Sequence, residues 1–108
     1  MSDSSNKLNE LSNLESNAQY LMSQRHSLKN ELLEIDSALD ELKNTEESFK
    51  IIGSIMVKSD KKSVEKELVE KKELVEKRLS GINEKEKSLR EQAEKLQSEI
   101  MKELEKKR

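Results

Sequence analysis

The chain has 108 residues, of which 41% are charged and only 31% apolar, with one Phe, one Tyr and no Trp. A compact globular domain of this length takes roughly half its residues apolar, so a globular core is excluded and two classes remain: a disordered chain, or an elongated helical one with a narrow apolar seam. Proline and cysteine are both absent, which leaves nothing to break a helix, removes disulfide and thiolate chemistry, and suits a reducing compartment.

The N-terminal stretch MSDSSNKLNE has no apolar h-region, and no apolar run approaches the roughly 18 residues that span a bilayer. A cytoplasmic protein without a membrane partner is expected. The net charge of −2 hides an asymmetry. Residues 1–48 carry 4 Lys/Arg against 10 Asp/Glu, and residues 49–108 carry 17 against 13. An acidic segment followed by a basic one suggests that the two lie against each other. Nucleic acid is not an expected partner, because the basic residues are interleaved with Glu at almost every turn.

The first element is a helix over about residues 8–47. Leu11, Leu14, Ala18, Leu21, Arg25, Leu28, Leu32, Ile35, Leu39 and Leu42 follow one another in alternating steps of three and four. That is the a/d frame of a left-handed coiled coil, with Arg25 as its one polar member. Tyr20 lies beside this seam and is expected to pack there. His26 is expected on a solvated surface.

Between residues 49 and 58 the sequence reads FKIIGSIMVK and the apolar period changes from 3.5 to 2. Phe49–Ile52 and Ile55–Val57 are strand formers around Gly53-Ser54, and Gly at the first central position suits a two-residue type II′ turn. Asp60 or Ser63 can cap a second helix.

That last element is a helix over about residues 61–106. Leu68, Lys72, Val75, Leu79, Ile82, Glu86, Leu89, Ala93, Leu96 and Ile100 again alternate four and three. Glu67/Lys71, Glu73/Lys77, Glu91/Lys95 and Glu103/Lys107 are spaced to support the exposed faces. Gly81 stands inside this helix, where it suggests a close approach or a mild bend.

So short a connection returns the chain on itself. The helices should pair antiparallel, with numbers across the seam summing to roughly 107–111. Leu42 then meets Val64, Leu28 meets Leu79, and Leu8 lies near Ile100. The same register puts Arg25 against Glu86 as an ion pair that can fix alignment, as isolated polar a-positions do.

A lone two-stranded hairpin is marginal in water. Here Ile52, Ile55 and Val57 share one face and Phe49, Ile51 and Met56 the other, so both faces ask to be covered and both edges invite further strands. Phe49, Ile51, Ile52, Gly53, Ile55, Met56 and Val57 are therefore the expected oligomerisation residues. The fold class is mostly α: an antiparallel two-helix coiled-coil hairpin, with a short central β-hairpin that oligomerises into a shared sheet or a β-barrel platform.

Both termini meet at the far end, or tip, of the helical arm. Leu8, Leu11, Leu14, Ile100, Met101 and Leu104 lie there, with Leu8, Met101 and Leu104 off the strict seam. Frayed, Met-containing apolar surface of this kind can repack against many partners, which suits promiscuous binding. Catalysis finds no support. No Gly-rich phosphate loop is present, a single His without Cys makes no transition-metal cluster, and no cofactor is expected.

Phe49-Lys50-Ile51-Ile52-Gly53-Ser54-Ile55-Met56-Val57-Lys58, together with Ala38-Leu39-Asp40-Glu41-Leu42 and Lys77-Arg78-Leu79 with Ile82, resembles the prefoldin family, specifically its archaeal β-class subunit. The resemblance covers roughly residues 8–105 and treats residues 1–108 as a single prefoldin-like domain. Phe49 stands where Tyr is common, and the N-terminal segment is less Gln-rich than in many relatives. The resemblance implies a hexamer of two α-class and four β-class subunits, whose hairpins form a double β-barrel platform carrying six coiled-coil arms. It also implies an ATP-independent chaperone that binds unfolded protein clients between the arm tips and delivers them to a group II chaperonin. The alternative is a passive structural coiled coil that dimerises or tethers partners, which explains the heptads and not the doubly apolar hairpin.

Overall fold

The computed structural model describes residues 3–106. Among these the order of elements is α1 (Asp3–Lys43), β1 (Ser48–Ile52), β2 (Ile55–Ser59) and α2 (Lys61–Lys106). This is the mostly α architecture that two heptad runs around a period-2 stretch call for. With 41 and 46 residues, the helices are roughly 60 and 70 Å long at 1.5 Å per residue.

The first helix is displaced from its expected bounds. It runs from Asp3 and stops at Lys43 instead of continuing to about residue 47. Asn44 and Thr45 are poor helix formers, and the Asn44 N–H donates to the Glu41 carbonyl at 3.1 Å, the i→i−3 bond that tightens a final turn. At the other boundary Asp60 holds the N-cap position. Its carbonyl accepts the first bond of α2, from the Val64 N–H at 3.0 Å, while Ser63 lies within the helix.

Every position of the two heptad runs is buried or half-buried, from Leu11 to Leu42 in α1 and from Leu68 to Ile100 in α2. The most enclosed side chain is Val75, at 2% exposure. A seam this narrow buries few residues completely, and the outer faces hold the charge.

Two compact units divide the fold: the residues up to His26 with those from Ser80 onward, and Ser27–Leu79. In the first, Leu21, Ile82, Leu96 and Ile100 form the buried core. Lys7 bonds Glu103 and Arg25 bonds Glu86, so rising numbers in α1 meet falling numbers in α2 and the helices are antiparallel. In the second, Ile35 and Val75 form the apolar core. Lys72 Nζ lies 2.8 Å from Asp36 Oδ1, and Lys61 Nζ donates to the Thr45 carbonyl at 2.9 Å, again in antiparallel sense. The paired numbers sum to 110 for Lys7–Glu103, 111 for Arg25–Glu86 and 108 for Lys72–Asp36, the register expected from the seam.

The polar members of the seam are all partnered. Arg25 and Glu86 hold each other, and Lys72 takes Asp36, which neighbours the buried Ile35 in sequence. The hydrogen bond that Lys72 donates to the Asp36 carboxylate raises the Lys72 pKa above its ordinary 10.5. Among the described residues no buried side-chain nitrogen or oxygen lacks a hydrogen-bond partner.

Three further expectations are corrected, and the Glu103/Lys107 pairing lies partly outside the described residues. Tyr20 does not pack against the seam: it is 64% exposed, and its hydroxyl accepts a bond from Gln24 Nε2 at 3.0 Å. Position 20 falls two residues past the seam position Ala18, and a step of two on a helix points away from the buried stripe. Gly81 makes no close approach, since a Cβ placed there meets nothing within 4 Å. Glu67 and Lys71 also bond elsewhere than to each other, to Lys50 and Glu31 respectively, because partners on neighbouring elements lie within reach.

Candidate functional site

Two surfaces gather the residues singled out in the sequence. The first is the β-hairpin. Its antiparallel register pairs Ser48 with Ser59, Phe49 with Lys58, Lys50 with Val57, Ile51 with Met56, and Ile52 with Ile55. The turn is Gly53-Ser54, with Gly53 at φ 63° and no other residue at positive φ among those described. Positive φ at the first central position only is the signature of type II′, whose twist matches the strands it joins.

Since paired residues share a face, Phe49, Ile51 and Met56 lie on one side, and Ile52, Ile55 and Val57 on the other. Neither side is covered within the chain. These six side chains are 43% to 70% exposed, an unusual concentration of apolar surface in so charged a protein. The hairpin is anchored at its base and through Lys50. Ser48 is buried and its hydroxyl donates to the Ser59 carbonyl at 2.6 Å. Lys50 Nζ reaches Glu67 Oε1 at 2.6 Å, tying the strand to α2. The sheet has two strands, so each carries one unpaired edge.

The second surface lies at the helix termini. Leu8, Met101 and Leu104 are exposed at 53%, 58% and 52%. Leu11 and Leu14 are half-buried in the seam, and Ile100 is buried. The six residues named for this end thus divide into an exposed set and a seam set. Lys7 bonds Glu103 and lies 3.6 Å from Glu99, and the Glu103 bond raises its pKa above the ordinary 10.5. Sequence reasoning missed this clamp, although the signal was there. One further step of four before Leu11 lands on Lys7, and one of three after Ile100 lands on Glu103, so the seam continues as an ion pair where the leucines stop.

Among the described residues no cluster of three His, Cys, Asp or Glu could hold a metal ion, and no helix is long and apolar enough to cross a membrane. His26 is exposed on α1.

The hairpin sequence, its doubly exposed faces and the antiparallel seam together form the pattern that comparison with known proteins tests. The family model described as "Prefoldin subunit" matches residues 5–107. The chain belongs to the prefoldin subunit family. It is 45% identical over 83 residues to the prefoldin subunit beta of Saccharolobus islandicus, covering 74% of this chain and 66% of that one. It therefore spans just under two thirds of the length of that relative. The prefoldin subunit beta of Sulfurisphaera tokodaii is 33% identical over 97 residues, 87% of this chain and 78% of the relative. The crystal structure of the prefoldin beta subunit from Thermococcus strain KS-1 superposes with a TM-score of 0.89 at 29% identity, covering 96% of this chain and 94% of the other. The prefoldin fold accounts for both the helical pair and the hairpin.

Proposed function

We propose that the chain is a β-class subunit of an ATP-independent molecular chaperone. Its hairpins join those of an α-class partner and of other β-class copies, in a hexamer of two α and four β subunits, so that a β-barrel platform forms from strands too short to stand alone. Its exposed tip residues Leu8, Met101 and Leu104 hold non-native polypeptides, with Leu11, Leu14 and Ile100 joining them as the helix ends fray. Several weak tips acting together raise avidity without a tight site. Delivery to a group II chaperonin, in the cytoplasm, completes the reading.

The observation that carries it is the hairpin, apolar on both faces and exposed on both. An exposed apolar sheet of this sort is an aggregation hazard unless other copies cover it, and a passive two-chain tether leaves it uncovered. The test is the native mass of the full chain, alone and after mixing with an archaeal α-class subunit. A hexamer with the partner supports the reading, and a dimer under both conditions overturns it. Client binding is tested by removing residues 1–14 and 101–108. Assembly should survive while suppression of client aggregation weakens, and unchanged suppression rules out the tips.

A further inference from the structure

We propose that Lys50 and Glu67 are a positioning pair for assembly: Glu67 holds the hairpin at one tilt on α2 and neutralises the single cation on a sheet face that other copies cover. The inference rests on the platform reading and brings into it a residue outside the hairpin. Lys50 pairs with Val57, so its side chain leaves from the face of Ile52, Ile55 and Val57. Ser48 and Ser59 complete that face, which holds no other charge. Lys50 Nζ donates to Glu67 Oε1 at 2.6 Å.

The connections explain why such a tie matters. Asp60 alone joins β2 to α2, whereas residues 44–47 separate α1 from β1. A root of one residue lets a two-stranded sheet swing on the helix. Lys50 stands on the other strand, and Glu67 lies six residues beyond the start of α2, roughly 9 Å along it. The pair therefore ties β1 to the helix that already carries β2. One attachment per strand fixes a tilt that a single root leaves open, and copies whose strands must meet edge to edge need the same tilt.

Charge supplies the second half of the role. Lys71, the cation four residues past Glu67, is taken by Glu31, which leaves Glu67 to Lys50. The other cation of the strands, Lys58, lies on the opposite face, 3.7 Å from Glu47. In the single chain the Lys50–Glu67 pair is largely exposed, and there salt and water keep it weak. Once other copies cover Ile52, Ile55 and Val57, an unpaired ammonium beside them is strongly disfavoured. With Glu67 the chain brings its own counter-ion, so the face can be buried without a carboxylate from a neighbour. The attraction also strengthens as water leaves and the local dielectric falls.

The chain has no Cys, so Ser54→Cys in the turn and Glu70→Cys in α2 accept a pair of spin labels. Pulsed dipolar spectroscopy on the full single chain should give one narrow distance distribution. Lys50→Glu and Glu67→Lys should each broaden it, and the two together should narrow it again, because the charges are then exchanged. A distribution that the single reversals leave unchanged overturns the proposal. The unlabelled chains are then mixed with an archaeal α-class subunit and diluted while native mass is followed. Each single reversal should raise the concentration at which half the complex dissociates about tenfold or more, and the exchanged pair should bring it back to within about threefold of wild type. Circular dichroism should show the helices retained throughout. An exchanged pair that assembles no better than the single reversals overturns the proposal, since Lys50 then serves a neighbouring chain and not Glu67. If wild type forms no complex while the distances respond as expected, the platform reading falls, and with it the role in assembly, while the attachment within the chain stands.

Discussion

Arg25 Nη1 donates to both carboxylate oxygens of Glu86, at 3.2 and 3.1 Å, across the apolar seam. The pair is partly enclosed, with 33% and 16% of the two side chains exposed. A single guanidinium nitrogen serves both oxygens, so the contact lacks the two-pronged geometry that makes Arg–carboxylate pairs strongest. Its value therefore lies in alignment more than in stability. Replacing either residue alone with Leu strands the other charge in the seam and should cost about 1–2 kcal/mol, less than the 3–5 expected of a fully buried pair. Arg25→Leu with Glu86→Leu should recover that loss or exceed it. A double-mutant cycle by denaturant unfolding, at one protein concentration, measures the coupling. Additive single losses would mean that the two charges act independently.

The success of that pairing and the failure over Tyr20 turn on the same frame. A 3.5-residue period fixes which side chains enter the seam, and the hairpin length fixes where the second run starts. Arg25 and Glu86 therefore had to meet once both helices were placed. The faces of the hairpin were legible for the same reason, since a two-residue turn dictates the register. The same heptad frame puts Tyr20 off the stripe, so its exposure could have been read from its spacing to Ala18, whereas the Lys50–Glu67 tie joins two elements and had to be seen. The end of α1 at Lys43 was also hidden, because Leu39 and Leu42 carry the heptad up to the point where Asn44 and Thr45 stop it. The partition of buried Ile100 from exposed Leu8, Met101 and Leu104 follows the seam frame, which includes position 100 and leaves the other three out.

Glycine substitutions separate the two glycines by physical role. Gly53 has φ 63°, so Gly53→Ala meets no atom yet forces an L-residue into the left-handed region, at a cost of about 1 kcal/mol or more. Gly81 lies within α2 with open space where a Cβ would stand. Gly81→Ala should therefore stabilise by about 0.5–1 kcal/mol. Thermal unfolding of both variants should move the midpoint in opposite directions. A fall for Gly81→Ala would reveal a steric or assembly constraint at that face.

Alkaline pH should dissolve the Lys7 clamp. The bond to Glu103 raises the Lys7 pKa above its ordinary 10.5, so the folded chain holds this proton more tightly than the unfolded one. The stabilisation is then complete below about pH 10.5 and is lost as pH rises through the higher folded value. Lys72, raised by Asp36 in the same direction, should behave alike. The difference in melting temperature between wild type and Lys7→Met should be constant from about pH 7 to pH 9 and shrink above pH 10.5. A difference that persists into strong alkali would assign the effect to packing of the lysine stem instead of its charge.

The hairpin gives the most severe test of assembly. Ile52 and Val57 lie on one face of the sheet, 59% and 43% exposed in the single chain. Burying each aliphatic side chain against other copies is worth roughly 1.5–3 kcal/mol. In the proposed barrel, replacing both with Lys removes that gain and requires two ammonium groups per subunit to be buried, each at several kcal/mol unless paired. Oligomers should therefore be absent from Ile52→Lys with Val57→Lys. The loss should spare most of the helix, because the seam from Leu11 to Leu42 and from Leu68 to Ile100 does not include the hairpin. Circular dichroism would report retained helicity, and sedimentation velocity would report the smaller particle. An intact oligomer in this variant would show that the helices hold the copies together. Lost helicity would show that the α1–α2 pairing itself depends on the platform.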